Sequence, residues 1–234
     1  LAQKQTKLTL FFFFFSSVSR SNEQGQLVLR ALADQGAPEP YTSARLVSKV
    51  SLTENQGYIS ADIQLPCAKG LWPAFWLLPT EPHDWPRGGE VDIAEAFGKN
   101  STTISCYHWG GYNGTEEKAK HRVAQSKPSG MCSGMVNYSF AWRQPGGKKG
   151  SPGQMVWYVK GRPVMKAEVA AGTRPLSEME IILNLAMGGN VMNNVKPDYG
   201  AYQMVVGSLY MASEPKNGGW AQFEKDWKIA PMGA

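Results

Sequence analysis

The chain is poor in charge, in cysteine and histidine, and in long apolar runs. Asp, Glu, Lys and Arg make up 18% of 234 residues, and the net charge is +5 with the basic residues scattered. Nucleic-acid binding needs a basic stripe, so no nucleic-acid partner is expected. The longest unbroken apolar run near the start, residues 10–15, is far shorter than the roughly 20 residues of a membrane-spanning helix. The three cysteines (Cys67, Cys106, Cys132) contain no Cys-x-x-Cys pair, and the three histidines (His83, His108, His121) lack zinc-type spacing. No metal site is expected from them. Internal repeats, domain-dividing linkers and long stretches of helical periodicity are also missing.

What is present is aromatic and turn-rich. Aromatics reach 11%, with eight Trp, and Gly and Pro number 25 and 15. Low charge with this apolar content argues against disorder. The length suits one large domain able to bury a core without metal or disulfide staples.

Residues 1–21 read differently from the rest. Lys4 and Lys7 precede five consecutive Phe at 11–15, and the small residues Ser17 and Ser19 follow. This is the pattern of a secretory signal, or else of a segment foreign to the domain, so a single domain is placed at 22–234. Sequons at Asn100, Asn113 and Asn137, with the signal-like start, point to a secreted glycoprotein. Cys106 could pair with Cys132 and leave Cys67 free; the residues alone do not decide.

Short apolar runs cut by Gly, Pro, Asn and Ser predict strands at 26–33, 58–65, 103–109, 155–159 and 204–211. Lys160-Gly161 predicts a hairpin turn between 155–159 and 162–169, with Pro163 confined to an edge or entry position. Residues 144–153 predict an exposed hairpin loop. Many short strands with Gly/Pro turns imply an all-β sandwich or barrel.

The chemistry lies in Glu90-Val91-Asp92-Ile93-Ala94-Glu95. On a regular strand Glu90 and Asp92 share a face and Glu95 points away. On a helix Glu90 and Glu95 stand about 140° apart. A one-residue bulge after Asp92 would bring all three to one face. Paired carboxyls of this kind are what glycoside hydrolysis requires: one attacks the anomeric carbon and the other protonates the leaving oxygen, about 5–5.5 Å apart in retaining enzymes. The neighbourhood is aromatic, and flat sugar faces pack on aromatic rings within pockets that add a few polar groups. Trp72, Trp85 and Trp109 sit beside Gly or Pro and near the acids, and are candidates to face substrate. Trp76, Trp142, Trp157, Trp220 and Trp227 read as core.

These residues resemble glycoside hydrolase family 16, the laminarinase and lichenase group, whose signature is Glu-x-Asp-x-(x)-Glu. Trp72-Pro73-Ala74-Phe75-Trp76 is similar to the family's upstream motif. Tyr41-Thr42-Ser43-Ala44-Arg45 and Leu183-Asn184-Leu185-Ala186-Met187-Gly188-Gly189 resemble two further segments. The resemblance implies a two-sheet antiparallel β-jelly-roll sandwich, concanavalin A-like, with a concave substrate cleft. It implies Glu90 as nucleophile, Glu95 as general acid/base and Asp92 as the assisting acid. Arg45, Trp72, Trp85 and His108 would line the sugar subsites. The expected activity is retaining endo-hydrolysis of a β-1,3- or mixed β-1,3/1,4-glucan by a monomer without cofactor or metal. A transglycosylase or endo-galactanase of the same family, or a non-catalytic carbohydrate-binding protein, are the alternatives. The chain departs from the family pattern at Ala141-Trp142, Tyr158-Val159-Lys160-Gly161 and Val206-Gly207-Ser208-Leu209-Tyr210-Met211.

Overall fold

The computed structural model describes residues 19–111 and 119–234. In chain order the strands are β1 (Ser19–Ser21), β2 (Leu27–Ala33), β3 (Tyr41–Thr42), β4 (Arg45–Ser51) and β5 (Gln56–Gln64). They continue with β6 (Leu71–Pro79), β7 (Glu90–Ala96), β8 (Thr103–Gly110), β9 (Ala119–Ser126) and β10 (Val136–Arg143). The last are β11 (Gln154–Val159), β12 (Arg162–Glu168), β13 (Met179–Met187) and β14 (Gly200–Ala212), followed by a helix, α1 (Gly219–Ile229). They form two antiparallel sheets, one of eight strands ordered β1-β2-β14-β5-β10-β11-β12 with β3 on β2, the other of six ordered β4-β13-β6-β7-β8-β9. This is the expected jelly-roll sandwich.

Alternation along the strands makes the core. Ile59, Phe140 and Trp157 from the larger sheet meet Phe75, Tyr107 and Leu183 from the smaller one, all fully or almost fully buried. Trp142 is likewise in this core. Lys160 and Gly161 both take positive φ, 52° and 71°, as a two-residue hairpin turn of the primed kind requires. Val159 pairs with Arg162 across it, and Pro163 lies on β12, the last strand of its sheet. Residues 144–153 form the connection between β10 and β11, but Gln144 is not exposed: it is fully buried. Its amide donates to the Ser151 carbonyl (2.9 Å) and accepts from the Leu176 N–H (2.9 Å), which ties the loop down.

Three expectations need correction. The helix α1 was not anticipated; Trp220, Phe223 and Trp227, spaced three and four apart, lay one face against the outer side of the larger sheet. There Phe223 packs with Tyr58, Ala141, Val156 and Tyr158. Second, the disulfide joins Cys67 to Cys132, leaving Cys106 a buried thiol. Cys67 follows β5 and Cys132 precedes β10, and these two strands pair, so their loops meet at one end of the sheet. Cys106 sits mid-strand on β8, far from that end. Third, Ser19–Ser21 pairs with Leu27–Leu29, so a domain boundary at 22 would cut away an edge strand. The Phe-rich run and Asn113 lie outside the described residues.

Residues 231–234 protect the opposite edge. Val123 and Ala234 exchange backbone hydrogen bonds (3.0 and 2.9 Å), and Lys166 N–H donates to the Pro231 carbonyl (2.8 Å). Unpaired groups of β9 and β12 are thereby covered, which guards against edge-to-edge association.

Candidate active site

The acid cluster stands on β7, near the middle of the six-stranded sheet. The pairing of β7 with β8 slips between Asp92 and Glu95, and that with β6 slips between Phe75 and Trp76. Both slips mark one bulge. Ile93 and Ala94, consecutive in sequence, are both buried in the inter-sheet core, so Glu95 returns to the face that Glu90 and Asp92 already occupy. Two carbonyls at the bulge find donors elsewhere: Trp157 Nε1 from the opposite sheet donates to Asp92 O, and Ser105 Oγ to Ile93 O, each at 3.0 Å. Buried carbonyls without donors would cost about 1–3 kcal/mol each.

The three carboxyls open into a cleft of about 490 Å³, within the usual range for small-ligand pockets. Strand β6 supplies Trp72 and Trp76 at alternate positions around Ala74, and β13 supplies Asn184. Trp72 Nε1 donates to Glu95 Oε1 at 2.7 Å, and Trp85 Nε1 to Glu90 Oε2 at 3.0 Å. Each of these two glutamates therefore has its own indole donor. Trp76 Nε1 donates to Asn184 Oδ1 (2.7 Å), and the Arg45 guanidinium lies 4.7 Å from the Trp76 ring centroid. At Gly189 (φ +100°) a β-carbon would come within 3.0 Å of the Trp72 ring, which explains the glycine at that position.

His108, opposite Glu90 across the ladder, brings Nε2 to 3.4 Å from Asp92 Oδ2 and 3.9 Å from Glu90 Oε1. The first contact is an ion-pair distance without hydrogen-bond alignment, and Asp92 Oδ2 has no hydrogen-bond partner among the described residues. Burial, then the Asp92 charge, pushes Glu90 up to about 8; Glu95 adds to this, while His108 and the Trp85 N–H oppose it. Asp92 is raised well above the ordinary aspartate range, by burial and then by Glu95. Glu95 is raised by burial, against the Trp72 N–H and His108. Three acids this close and dry do not all ionise together, so the cluster carries protons at neutral pH, as an acid-catalysed step needs.

Glu90, Asp92, Glu95, Arg45, Trp72 and Trp85 all border the cleft, and His108 touches two of the acids. Trp109 does not join them. It stacks on Tyr107 with centroids 4.9 Å apart and packs against the core, because odd-numbered residues of β8 face inward while Cys106 and His108 face the acids. Trp76, read as core, is a cleft residue instead, on the same face as Trp72 two pairs along the strand. Asn184 was also missed as a site residue. Leu183 and Leu185 are both buried in the core, and alternation alone sends the residue between them to the cleft.

Residues 13–204 match the glycosyl hydrolases family 16. The chain belongs to that family. It is 28% identical over 149 residues to an endo-1,3-1,4-beta-glycanase of Rhizobium meliloti, covering 64% of this chain and 28% of that protein. It is 27% identical over 201 residues to a beta-glucanase of Rhodothermus marinus, covering 78% of this chain and 66% of that protein. The chain thus spans little more than a quarter (28%) of the first relative's length. Among solved structures, the catalytic domain of an endo-1,3-beta-glucanase (laminarinase) from Thermotoga petrophila RKU-1 superposes with a TM-score of 0.64 at 26% identity, covering 83% of this chain and 79% of that one. These likenesses agree with the two-sheet family 16 fold described above.

Proposed function

We propose that this family 16 protein is a retaining endo-glycosidase that hydrolyses a β-1,3- or mixed β-1,3/1,4-glucan. The observation that carries the reading is the bulge that turns Glu90, Asp92 and Glu95 into one aromatic-walled cleft. Glu90 acts as nucleophile: its carboxylate attacks the anomeric carbon while the Glu95 carboxyl gives its proton to the leaving oxygen, and a glycosyl-enzyme forms. Glu95, now a carboxylate, takes a proton from water, which displaces Glu90 and releases the sugar with its original anomeric configuration. Asp92, held protonated between them, steadies the charge as it moves from one glutamate to the other. Glu90 is the less buried of the two glutamates; its proton, held up to about 8 in the free cleft, leaves before the attack, while Glu95 keeps its own. Trp72, Trp76 and Trp85 offer stacking faces, and Arg45 and Asn184 offer polar contacts to ring hydroxyls. No cofactor enters the scheme.

We place the protein outside the cell, as a monomer. The Cys67–Cys132 disulfide fits an oxidising compartment, and the Asn100 sequon is exposed. Asn137 is a poor acceptor, since its amide donates to Ser60 Oγ and Asp62 Oδ1, both at 2.9 Å.

Reducing-sugar release from laminarin, mixed-linkage glucan and β-1,3-galactan tests the reading and ranks the polymers. Glu90→Ala and Glu95→Ala should both abolish release from natural glucan. With an activated glycoside and azide, Glu90→Ala should yield the α-glycosyl azide and Glu95→Ala the β-anomer. Binding of glucan without release by the folded wild-type protein would refute hydrolysis in favour of a binding role, and lengthened products with an added acceptor would favour a transglycosylase.

A further inference from the structure

Beneath the sugar-facing surface, β7 and β8 bring together three side chains that the glucan chemistry does not require as a set. Cys106 and His108 alternate on one face of β8, and Asp92 lies opposite Cys106 across the ladder. Cys106 Sγ is 3.1 Å from His108 Nε2, which is 3.4 Å from Asp92 Oδ2, and one atom from each residue falls within 4.8 Å of the others. Asp92 is 2% exposed, and the Oδ2 it aims into this group has no hydrogen-bond partner among the described residues. Cys106, 3% exposed, is the one cysteine outside the disulfide.

We propose that Asp92, Cys106 and His108 form a binding site for a thiophilic divalent cation of the zinc class. Thiolate, imidazole and carboxylate together are the donor set that zinc prefers, while calcium and magnesium favour oxygen alone. Bond lengths of about 2.0–2.3 Å around a tetrahedral zinc place neighbouring donor atoms roughly 3.3–3.7 Å apart. The 3.1 and 3.4 Å separations from His108 Nε2 lie close to this, and the Sγ and Oδ2 atoms lie within 4.8 Å of one another. A cation would satisfy the orphaned Asp92 oxygen, and the negative potential of the acid cluster would draw it in. Glu90 Oε1, 3.9 Å from His108 Nε2, or a water would complete the coordination from the cleft side. Binding replaces the thiol proton, which is released to solvent together with any proton on Asp92. The site stands whether or not the cleft cleaves glucan. If it does, the bound cation withdraws Asp92 and crowds Glu90, so metal and catalysis exclude one another.

Cobalt(II) added to the reduced-buffer, disulfide-intact protein should give a thiolate-to-cobalt charge-transfer band in the near ultraviolet at one equivalent, and zinc should bleach it. Zinc affinity by chelator competition should fall in Cys106→Ala by at least the roughly 10–100-fold that even outer-shell changes cost metal sites. Magnesium and calcium should not compete. Absence of the cobalt band in folded wild-type protein overturns the site without recourse to any variant, and so does unchanged zinc affinity in folded Cys106→Ala. These readouts use no substrate. A positive cobalt spectrum from a protein that hydrolyses no glucan even after chelator has removed all metal would sink the glycosidase reading and leave the metal site standing. Where hydrolysis occurs, zinc should suppress it, and a chelator should restore it.

Discussion

Replacing Glu90 by Gln should remove activity and make the folded protein more stable, by an amount that grows from about pH 4.5 and is complete above about pH 8. In the unfolded chain this carboxyl loses its proton near 4.5; in the fold it holds it up to about 8. Between those values the folded state binds the extra proton. Stability therefore falls as pH rises through that window, and the penalty is complete above it. At about 1.4 kcal/mol for each tenfold change in proton affinity, the gap has a ceiling of about 5 kcal/mol. Water in the open cleft and a high effective dielectric reduce this, and about 2 kcal/mol is a reasonable expectation. Gln keeps the shape and the acceptor for Trp85 Nε1 but has no proton to lose. In a domain of this size about 1 kcal/mol moves Tm by roughly 2–4 °C. Glu90→Gln should then melt about 4–8 °C above wild type at pH 9 and close to wild type at pH 4. Thermal unfolding followed by circular dichroism at both pH values measures it. Equal shifts at the two pH values, or a lower Tm at pH 9, would refute the account of a strained, proton-holding cluster.

Trp72→Phe keeps an aromatic wall but deletes the 2.7 Å donor to Glu95; a hydrogen bond to a charged group is worth about 1.5–3 kcal/mol. Glu95 should hold its proton more tightly, so the alkaline limb of the kcat/KM profile should move up by about one pH unit or more, with kcat reduced. An unmoved limb would contradict the role given to that indole. Phe223→Ala should cost about 3–5 kcal/mol by emptying the contact between α1 and the outer sheet. Activity per folded molecule should stay near wild type at low temperature, because the cleft lies on the far side of the sandwich; a matching loss of kcat would show that the helix reaches the site.

The local patterns that sequence reading handles well were those whose period is short and whose partner is implied. Short apolar runs between turn residues located the strands at 58–65, 103–109 and 204–211 to within a few residues, and the Lys160-Gly161 turn followed from backbone chemistry alone. The helix was harder. Its apolar face rests on three aromatics, Trp220, Phe223 and Trp227, in an 11-residue segment whose other residues are polar or small apart from the exposed Ile229. Such a short stripe acquires meaning only from the sheet it covers. Trp109 and Trp76 were exchanged for the same reason: proximity to Gly, Pro or the acids says less about direction than the parity of the strand position does.

The spacing Glu90-x-Asp92-x-x-Glu95, taken on its own, demanded a bulge if the acids were to work together, and a strand has no other way to bring them to one face. That much is a matter of a two-residue period and one extra residue. Sequence could not say what the bulge would cost or what would hold it. The Trp157 and Ser105 donors come from β11 in the opposite sheet and β8 next door. The order of strands also decided which cysteines meet, since β5 pairs with β10 and carries Cys67 to Cys132. It left Cys106 beside Asp92 and His108, a contact made across a ladder rather than along the chain. Covalent order sets which residues alternate, and tertiary pairing sets which of them become neighbours. The proton affinities and donor atoms of this cleft depend on those neighbours.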